Sequence, residues 1–389
     1  MAQMQVRTFY EFFAGGGMVH AALKARGWQC VFANDICAKK AAAYAANWGA
    51  NHLRVDDIRS VRASELPGVA DLSWGSFPCQ DLSLAGGYVG LSGKQSGTFW
   101  PFWHLQKKLM AESRGPRTIV LENVCGALTS HGGKDFAAIA SAFSAAGYHF
   151  GTVIADAVHW LPQSRPRLFV IGVRGDVPIP EKLRGAPDDV WHPETMLEAY
   201  GAIPNTAKRQ WIWWRMPKPA ARNVAFIDLI EDEPTGTAWH SKEDTDYIVS
   251  LMSPLHSNRL KDAVEYTKKT AGRMVGGIYR RTRQGKQRAE VRFDGISGCL
   301  RTPVGGSSRQ TVILVDKGEV RTRLLSPREA ARLMGLSEDY KLPLRYNDAY
   351  YICGDGVAVP VVQWIAEHVV EPVLDAADAQ KEATKIAAE

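Results

Sequence analysis

Five runs rich in β-branched and aromatic residues recur through residues 5–174: VRTFYEFF, CVFAND, VADLSWGSF, RTIVLENV and RLFVIGVR. Between them VHAALKARG, CAKKAAAYAANW, FWHLQKKLMAESRG and FAAIASAFSAAG space their apolar residues for one helix face, and several close on glycine. A strand that is apolar throughout needs cover on both faces, and intervening helices supply it. The alternation therefore predicts an α/β fold with a doubly wound, mostly parallel sheet.

The alternation stops near residue 175. RGDVPIPEKLRGAPDD reads as a Pro/Gly-rich linker, and residues 190–320 mix Trp clusters, basic residues and short β runs. A helix signal returns at SPREAARLMGL, where Ser326 caps, Pro327 takes the first position and Glu329 completes a capping box. VPVVQWIAEHVVEPVL reads as an amphipathic helix, and DAADAQKEATKIAAE as a frayed helix or a disordered tail. With 389 residues, two domains or one domain with a large insertion fit.

No apolar run reaches the roughly 18 residues of a membrane span, and MAQMQVRTFYEFF lacks the layout of a secretory signal. A soluble, cytoplasmic protein is the expectation. The six cysteines (Cys30, Cys37, Cys79, Cys125, Cys299 and Cys353) form no C-x-x-C pair, so reduced thiols and no metal are expected. Net charge is +6, but its distribution says more: Arg259 to Arg292 carries eleven Lys/Arg against three Asp/Glu. Such a segment is either a nucleic-acid footprint or a solvated basic face.

FFAGGGMVHAAL sets Gly15, Gly16 and Gly17 at a strand-to-helix junction, where a ligand can approach the backbone amides. The dinucleotide pattern would want glycine at position 20, which is His20, and that argues against a pyrophosphate ligand. Asp35, ending the second run, can accept both ribose hydroxyls, and Asp57 an adenine amino group. A nucleoside cofactor without pyrophosphate fits, S-adenosylmethionine being the common one. Otherwise the glycines are only a turn.

In GSFPCQDLSLAGG, Cys79 follows the fourth run, counting a further short one before Asp57, and lies at the carboxyl edge of the sheet, where open α/β folds hold ligands. Pro78 stiffens the turn, and Gly86, Gly87, Gly90, Gly93 and Gly97 make residues 81–97 a mobile lid. A lone cysteine is commonly a packed hydrophobe. Here Glu122 ends a buried strand in LENV, and Arg165 and Arg167 stand at alternate positions of QSRPR, pointing one way on extended backbone. A thiol, an acid and a fork of donors at one sheet edge make a covalent site.

The ordered elements FFAGGGM, ANDI, DDI, GSFPCQDLS, SGTFW, ENV, QSRPR, RLLSPREAARLMGL and GDGVAVPVV resemble the DNA (cytosine-5)-methyltransferase family. The resemblance covers most of residues 7–175 and 321–365. It implies an S-adenosylmethionine-dependent methyltransferase sheet (residues 1–175 plus 323–389) with a smaller, mixed target-recognition domain inserted at 176–322. It implies Cys79 as nucleophile on carbon 6 of a cytosine flipped from duplex DNA. Glu122 would then sit at ring nitrogen 3, Arg167 at the carbonyl oxygen, and Arg165 against the lid or a phosphate. Cofactor contacts carry over to Phe13, Gly15, Gly17, Asp35, Asp57, Ile58, Pro78 and Val357. The chain departs from the family with Met18 for Gly, Asp35 for Glu, Gly354-Asp355-Gly356-Val357 for G-N-S-V, and Cys299-Leu300 for Thr-Leu.

For DNA contact the expected residues are Gln80 and Ser83, then Arg280, Arg281, Arg283, Lys286 and Arg288 of YRRTRQGKQR, with Arg273 and Arg309 as outliers. RQWIWWR (209–215) reads as the core of the smaller domain or as a base-stacking platform. The resemblance implies a bacterial enzyme, paired with a restriction nuclease or acting alone, and a monomer is expected. The rivals are an RNA cytosine-5 methyltransferase and a catalytically silent DNA-binding protein of the same fold.

Overall fold

The structure, a computed structural model, describes residues 6–78, 96–283, 285–302 and 309–388. Contacts divide the chain into two compact units: Met1–Ala155 with Pro166–Lys218 and Val359–Glu389, and Asp156–Arg165 with Pro219–Ala358. Three segments group otherwise than in the sequence expectation. Residues 176–218 pack with the first unit, whereas 323–358 and the short segment 156–165 pack with the second. The Pro/Gly-rich stretch after residue 175 is no separating linker, because Val177, Leu183 and Trp191 are buried in the first unit.

The first unit is built on β1 (Thr8–Phe12), α1 (Met18–Lys24), β2 (Gln29–Asp35), α2 (Ala38–Trp48), β3 (Leu53–Val55) and β4 (Leu72–Gly75). α3 (Phe99–Ala111), β5 (Thr118–Val124), α4 (Lys134–Ala145), β6 (Tyr148–Asp156), β7 (Pro166–Arg174), α5 (Glu194–Ala202) and α6 (Asn205–Lys208) follow. The seven strands lie in the order β3-β2-β1-β4-β5-β7-β6. β1 pairs in parallel with β2 and β4, as β2 does with β3 and β4 with β5, whereas β7 runs antiparallel to β5. Central strands buried on both faces explain why TFYEF and TIVLENV are nearly unbroken apolar runs.

The Trp cluster belongs to this unit's core. Trp214 is fully buried, while Trp211 and Trp213 pack against the core with ring centroids 5.2 Å apart. Trp211 also meets Phe150 and Tyr200 edge-on or tilted, at 5.4 and 5.2 Å. The cluster is core packing, as one of the two sequence readings had it, but in the first unit and not in the smaller domain.

The second unit contains α7 (Lys242–Ser250), α8 (Pro254–Thr270), β8 (Arg273–Arg283), β9 (Lys286–Arg292), β10 (Thr311–Asp316), β11 (Glu319–Leu324), α9 (Pro327–Arg332) and α10 (Tyr346–Asp355). Its strands form an antiparallel sheet in the order β11-β10-β8-β9. Ile248, Leu260, Ile278, Val291, Ile313 and Val315 make its core. The capping box at α9 forms as expected: Glu329 N–H donates to Ser326 Oγ at 3.1 Å, and Ser326 N–H to Glu329 Oε2 at 2.7 Å. Glu329 also takes a two-pronged bond from the fully buried Arg323 at 2.6 and 2.8 Å.

The first unit closes with α11 (Val359–Ile365), a π-helical turn over Ala366–Val370, and α12 (Glu371–Ala388), so the tail is helical, the first of its two sequence readings. α11 packs on α1, and Glu371 at the start of α12 accepts from Arg26 and Trp28. One 18-residue window within Tyr346–Ala387 is long and apolar enough to cross a membrane, which the sequence reading had not found; 61% of it is buried inside the protein, as in a core helix.

Candidate active site and nucleic-acid interface

The turn after β1 is held in left-handed backbone at Phe13, Gly15 and Gly17, with φ of 58°, 57° and 77°. Phe13 stands in a region that residues with a Cβ rarely enter. Gly17 has no room for a side chain, because an added Cβ would lie 2.4 Å from Trp48 Nε1 and 2.8 Å from the Tyr44 ring. At Gly15 an added Cβ meets nothing within 4 Å, so the space beside the turn is open to a ligand.

Asp35 ends β2 beside this turn. Its Oδ2 accepts from Gly15 N–H at 2.8 Å and its Oδ1 from Cys37 N–H at 2.7 Å. Asn34 donates to the carbonyls of Arg54 and Asp56 at 3.0 and 2.9 Å, tying the end of β3 to β2. Just beyond, Asp57 caps a short 3₁₀ turn through Arg59 N–H at 2.9 Å, with Ile58 buried behind it. Two carboxylates at the carboxyl ends of adjacent parallel strands, Asp35 bonded to the glycine turn, suit a ribose diol and an adenine amino group.

Beneath the turn lies a polar knot that the sequence pattern did not reveal. The Tyr44 hydroxyl is 2.8 Å from His20 Nδ1, 3.1 Å from His52 Nε2 and 3.5 Å from Cys30 Sγ. Glu11 is 1% exposed; burial above all, then Asp35 repulsion, lifts its carboxyl to about 8. Burial, His52 and Lys24 push His20 down to about 3, and burial raises the Cys30 thiol. The knot is therefore electrically neutral near pH 7. No metal ligands were expected, yet the fold brings the ligand atoms of His20, Cys30 and His52 within 4.8 Å of one another, and the Tyr44 hydroxyl bonds to all three. Trp48 stacks on His20 at 4.7 Å and donates to the Gly16 carbonyl at 3.2 Å, linking the knot to the turn.

At the adjoining edge, antiparallel pairing sets Val124 opposite Arg167 and Glu122 opposite Phe169. Arg167 Nε thereby lies 3.3 Å from Glu122 Oε1, both side chains largely buried. Asn123, between them in sequence, donates to the Phe77 carbonyl at 3.3 Å. It thus anchors the chain just before Pro78 and is a positioning residue the sequence reading passed over. Cys79, Gln80 and Ser83 lie outside the described residues, as does most of the expected lid at 81–97.

Arg165 departs from the expected fork. It precedes β7, belongs to the second unit and is 2% exposed. Its guanidinium donates to the carbonyls of Leu300, Gly354 and Gly356 at 3.0, 2.9 and 2.6 Å. It therefore caps the carbonyl end of α10, where helix geometry leaves acceptors and negative potential. Gln163 works alongside, donating to the Leu333 carbonyl at 2.6 Å and accepting from Leu300 N–H at 3.0 Å. Arg167 and Arg165 thus have different partners. Val357 is buried in the second unit, following α10.

The basic expectation maps onto the β8–β9 hairpin. Arg281 pairs directly with Arg288, and both are exposed, as is Lys286; the side chain of Arg283 is not described. Arg280 has the opposite parity, facing Ala289 of the core. Arg273 is ion-paired with Asp232, and Arg309 lies over the Tyr346 ring at 5.6 Å. Arg301, exposed just before the undescribed 303–308, was not singled out from the sequence.

Residues 7–371 match the family described as C-5 cytosine-specific DNA methylase, and the chain belongs to that family. It is a DNA (cytosine-5)-methyltransferase. It is similar to the Type II methyltransferase M.Bsp6I of Bacillus sp. (strain RFL6), with 24% identity covering 93% of this chain and 98% of that one. The Type II methyltransferase M.HhaI of Haemophilus parahaemolyticus is likewise 24% identical, over 94% of this chain and 95% of its own. In fold the chain resembles the S. pombe Dnmt2 methyltransferase, with TM-score 0.56 and 16% identity over 94% and 99% of the two chains. A putative DNA modification methyltransferase encoded within an E. coli prophage gives 0.54 and 15% over 95% and 99%.

Proposed function

We propose that the chain methylates carbon 5 of a cytosine turned out of a specific duplex DNA sequence, with Cys79 as a transient covalent nucleophile. The observation that carries this is the Glu122–Arg167 pair, set beside the Asn123 anchor that holds the backbone leading to Cys79. Carbon 5 of cytosine is a weak nucleophile. Adding the Cys79 thiolate to carbon 6 forms an S–C bond and pushes the ring π electrons toward carbon 5. Glu122 bonds ring nitrogen 3 and the exocyclic amino group as negative charge develops on the ring. Arg167 bonds the ring carbonyl oxygen. With the methyl group on carbon 5 and S-adenosylhomocysteine as the by-product, loss of the carbon-5 proton lets the S–C bond break and returns the thiolate.

The open space beside Gly15 with Asp35, Asp57, Ile58, Phe13, Gly17 and Pro78 suits S-adenosylmethionine. When bound it supplies an electrophilic sulfonium methyl. Asp35 holds the ribose and Asp57 the adenine amino group. The basic hairpin holds duplex DNA, and the enzyme works in the cytoplasm on the nucleoid. Its similarity to Type II methyltransferases supports a place in a restriction-modification system.

The test is a duplex carrying 5-fluorocytosine at the target position, incubated with the chain and S-adenosylmethionine. A stable adduct mapped by peptide mass spectrometry to Cys79, and missing in Cys79→Ser, is the expected result. Methylation without a trapped adduct would remove the covalent step, and transfer to RNA in place of duplex DNA would remove the substrate.

A further inference from the structure

Arg281 and Arg288 sit directly opposite one another on the β8–β9 ladder. Residues so paired have Cβ atoms about 5 Å apart, where like charges destabilise a sheet. Partial relief comes from Glu290, whose Oε2 is 3.5 Å from Arg281 Nε, and from the Tyr279 ring 5.5 Å beneath the Arg281 guanidinium. One carboxylate does not neutralise two facing guanidinium groups. The other parity of the hairpin carries Ile278, Ala289 and Val291, which are buried in the unit's core, so the basic face is fixed outward. A solvated hairpin gains nothing from such an arrangement. An anion set between the arginines turns the repulsion into attraction.

We propose that Arg281 and Arg288 form a clamp for a single phosphate of the DNA backbone, holding the strand without reading its sequence. This rests on the DNA-binding reading above. A guanine edge, the usual base partner of arginine, is neutral and cannot compensate two facing cations; a phosphate carries the full negative charge. The clamp also places Arg280 outside the contact, because its parity points to the core.

The experiment compares Arg288→Gln and Arg281→Gln with the wild type, using Lys269→Gln on α8 as an equal change of charge elsewhere. Affinity for duplexes of several sequences is read by fluorescence anisotropy across a salt series, and thermal unfolding is read without DNA. Either arginine variant should lose about tenfold in affinity alike for every duplex, with the log–log salt slope reduced by about 0.9. Arg288→Gln should also melt about 1–3 °C higher than the wild type, since repulsion is relieved. Lys269→Gln should keep the wild-type slope. A wild-type slope in both arginine variants overturns the clamp, as does a loss confined to one sequence, which would mark base reading. A wild type that binds duplex DNA without salt dependence removes the underlying DNA reading itself.

Discussion

Glu122 and Arg167, far apart in sequence, meet at 3.3 Å because β7 returns antiparallel to β5. Each holds the other's head at the sheet edge before any pyrimidine arrives. Glu122→Gln keeps the shape but removes the charge, so single-turnover methyl transfer should slow about 10²–10³-fold, the cost of one lost stabilising group at a developing charge. DNA affinity should stay within a few-fold. Transfer within twofold of wild type would dismiss Glu122 as a participant in the chemistry.

The neutral knot beneath the glycine turn predicts an unusual pH dependence. Glu11 binds its proton more tightly folded (about 8) than unfolded, so its stabilisation is complete at low pH and lost as pH rises toward 8. His20 does the reverse: held down at about 3 when folded, it makes stability rise with pH until the unfolded imidazole has lost its proton near 6.5. The two oppose one another in mild acid, and between pH 6.5 and 8 Glu11 acts alone. Up to about 1.4 kcal/mol per pH unit is at stake there. Denaturant titrations at three pH values in that window should show the wild type weakening by about 2 kcal/mol more than Glu11→Gln. Parallel curves for the two proteins would mean that Glu11 is already ionised at neutral pH.

The sheet was legible because β1, β2, β4, β5 and β7 are apolar enough to announce burial on both faces. β3 left only a short run before Asp57, because it has three residues of which Arg54 and Val55 are exposed, and β6 escaped because YHFGTVIAD interleaves glycine and polar groups. With β6 unread, the reversal of β7 was hidden: residues 157–165 are too few for a crossover between parallel strands. The Gly15–Asp35 contact was legible since its parts close a local β-α-β loop. The fate of Arg165 was not, because its carbonyl partners at 300, 354 and 356 are distant in sequence. Proline and glycine masked Val177, Leu183 and Trp191, whose apolar surface assigns that stretch to the first unit.

Arg165 carries a structural prediction. A buried cation shared among three carbonyls leaves those acceptors bare when removed, so Arg165→Met should cost about 2–4 kcal/mol in urea unfolding. Lysine offers one point charge where the guanidinium bridges Leu300 to the end of α10. Arg165→Lys should therefore recover less than half of that loss. A methionine variant unfolding at the wild-type midpoint would show that the α10 end needs no cap.

Gly298 and Tyr279 give the sharpest packing test in the second unit. A Cβ built on Gly298 would stand 0.8 Å from the Tyr279 hydroxyl oxygen and 1.9 Å from its ring carbon. Gly298→Ala must therefore expel the ring, at about 1–3 kcal/mol. Tyr279→Phe leaves the ring carbon in place and should rescue nothing, whereas a Tyr279→Ala background should bring the cost of Gly298→Ala below about 1 kcal/mol. The tyrosine hydroxyl is buried without a hydrogen-bond partner among the described residues, so Tyr279→Phe alone should be nearly neutral. A full double-mutant cycle by chemical denaturation reads the coupling directly. Additive costs would show that the alanine is accommodated by backbone movement at 297–299 and that the ring never has to leave.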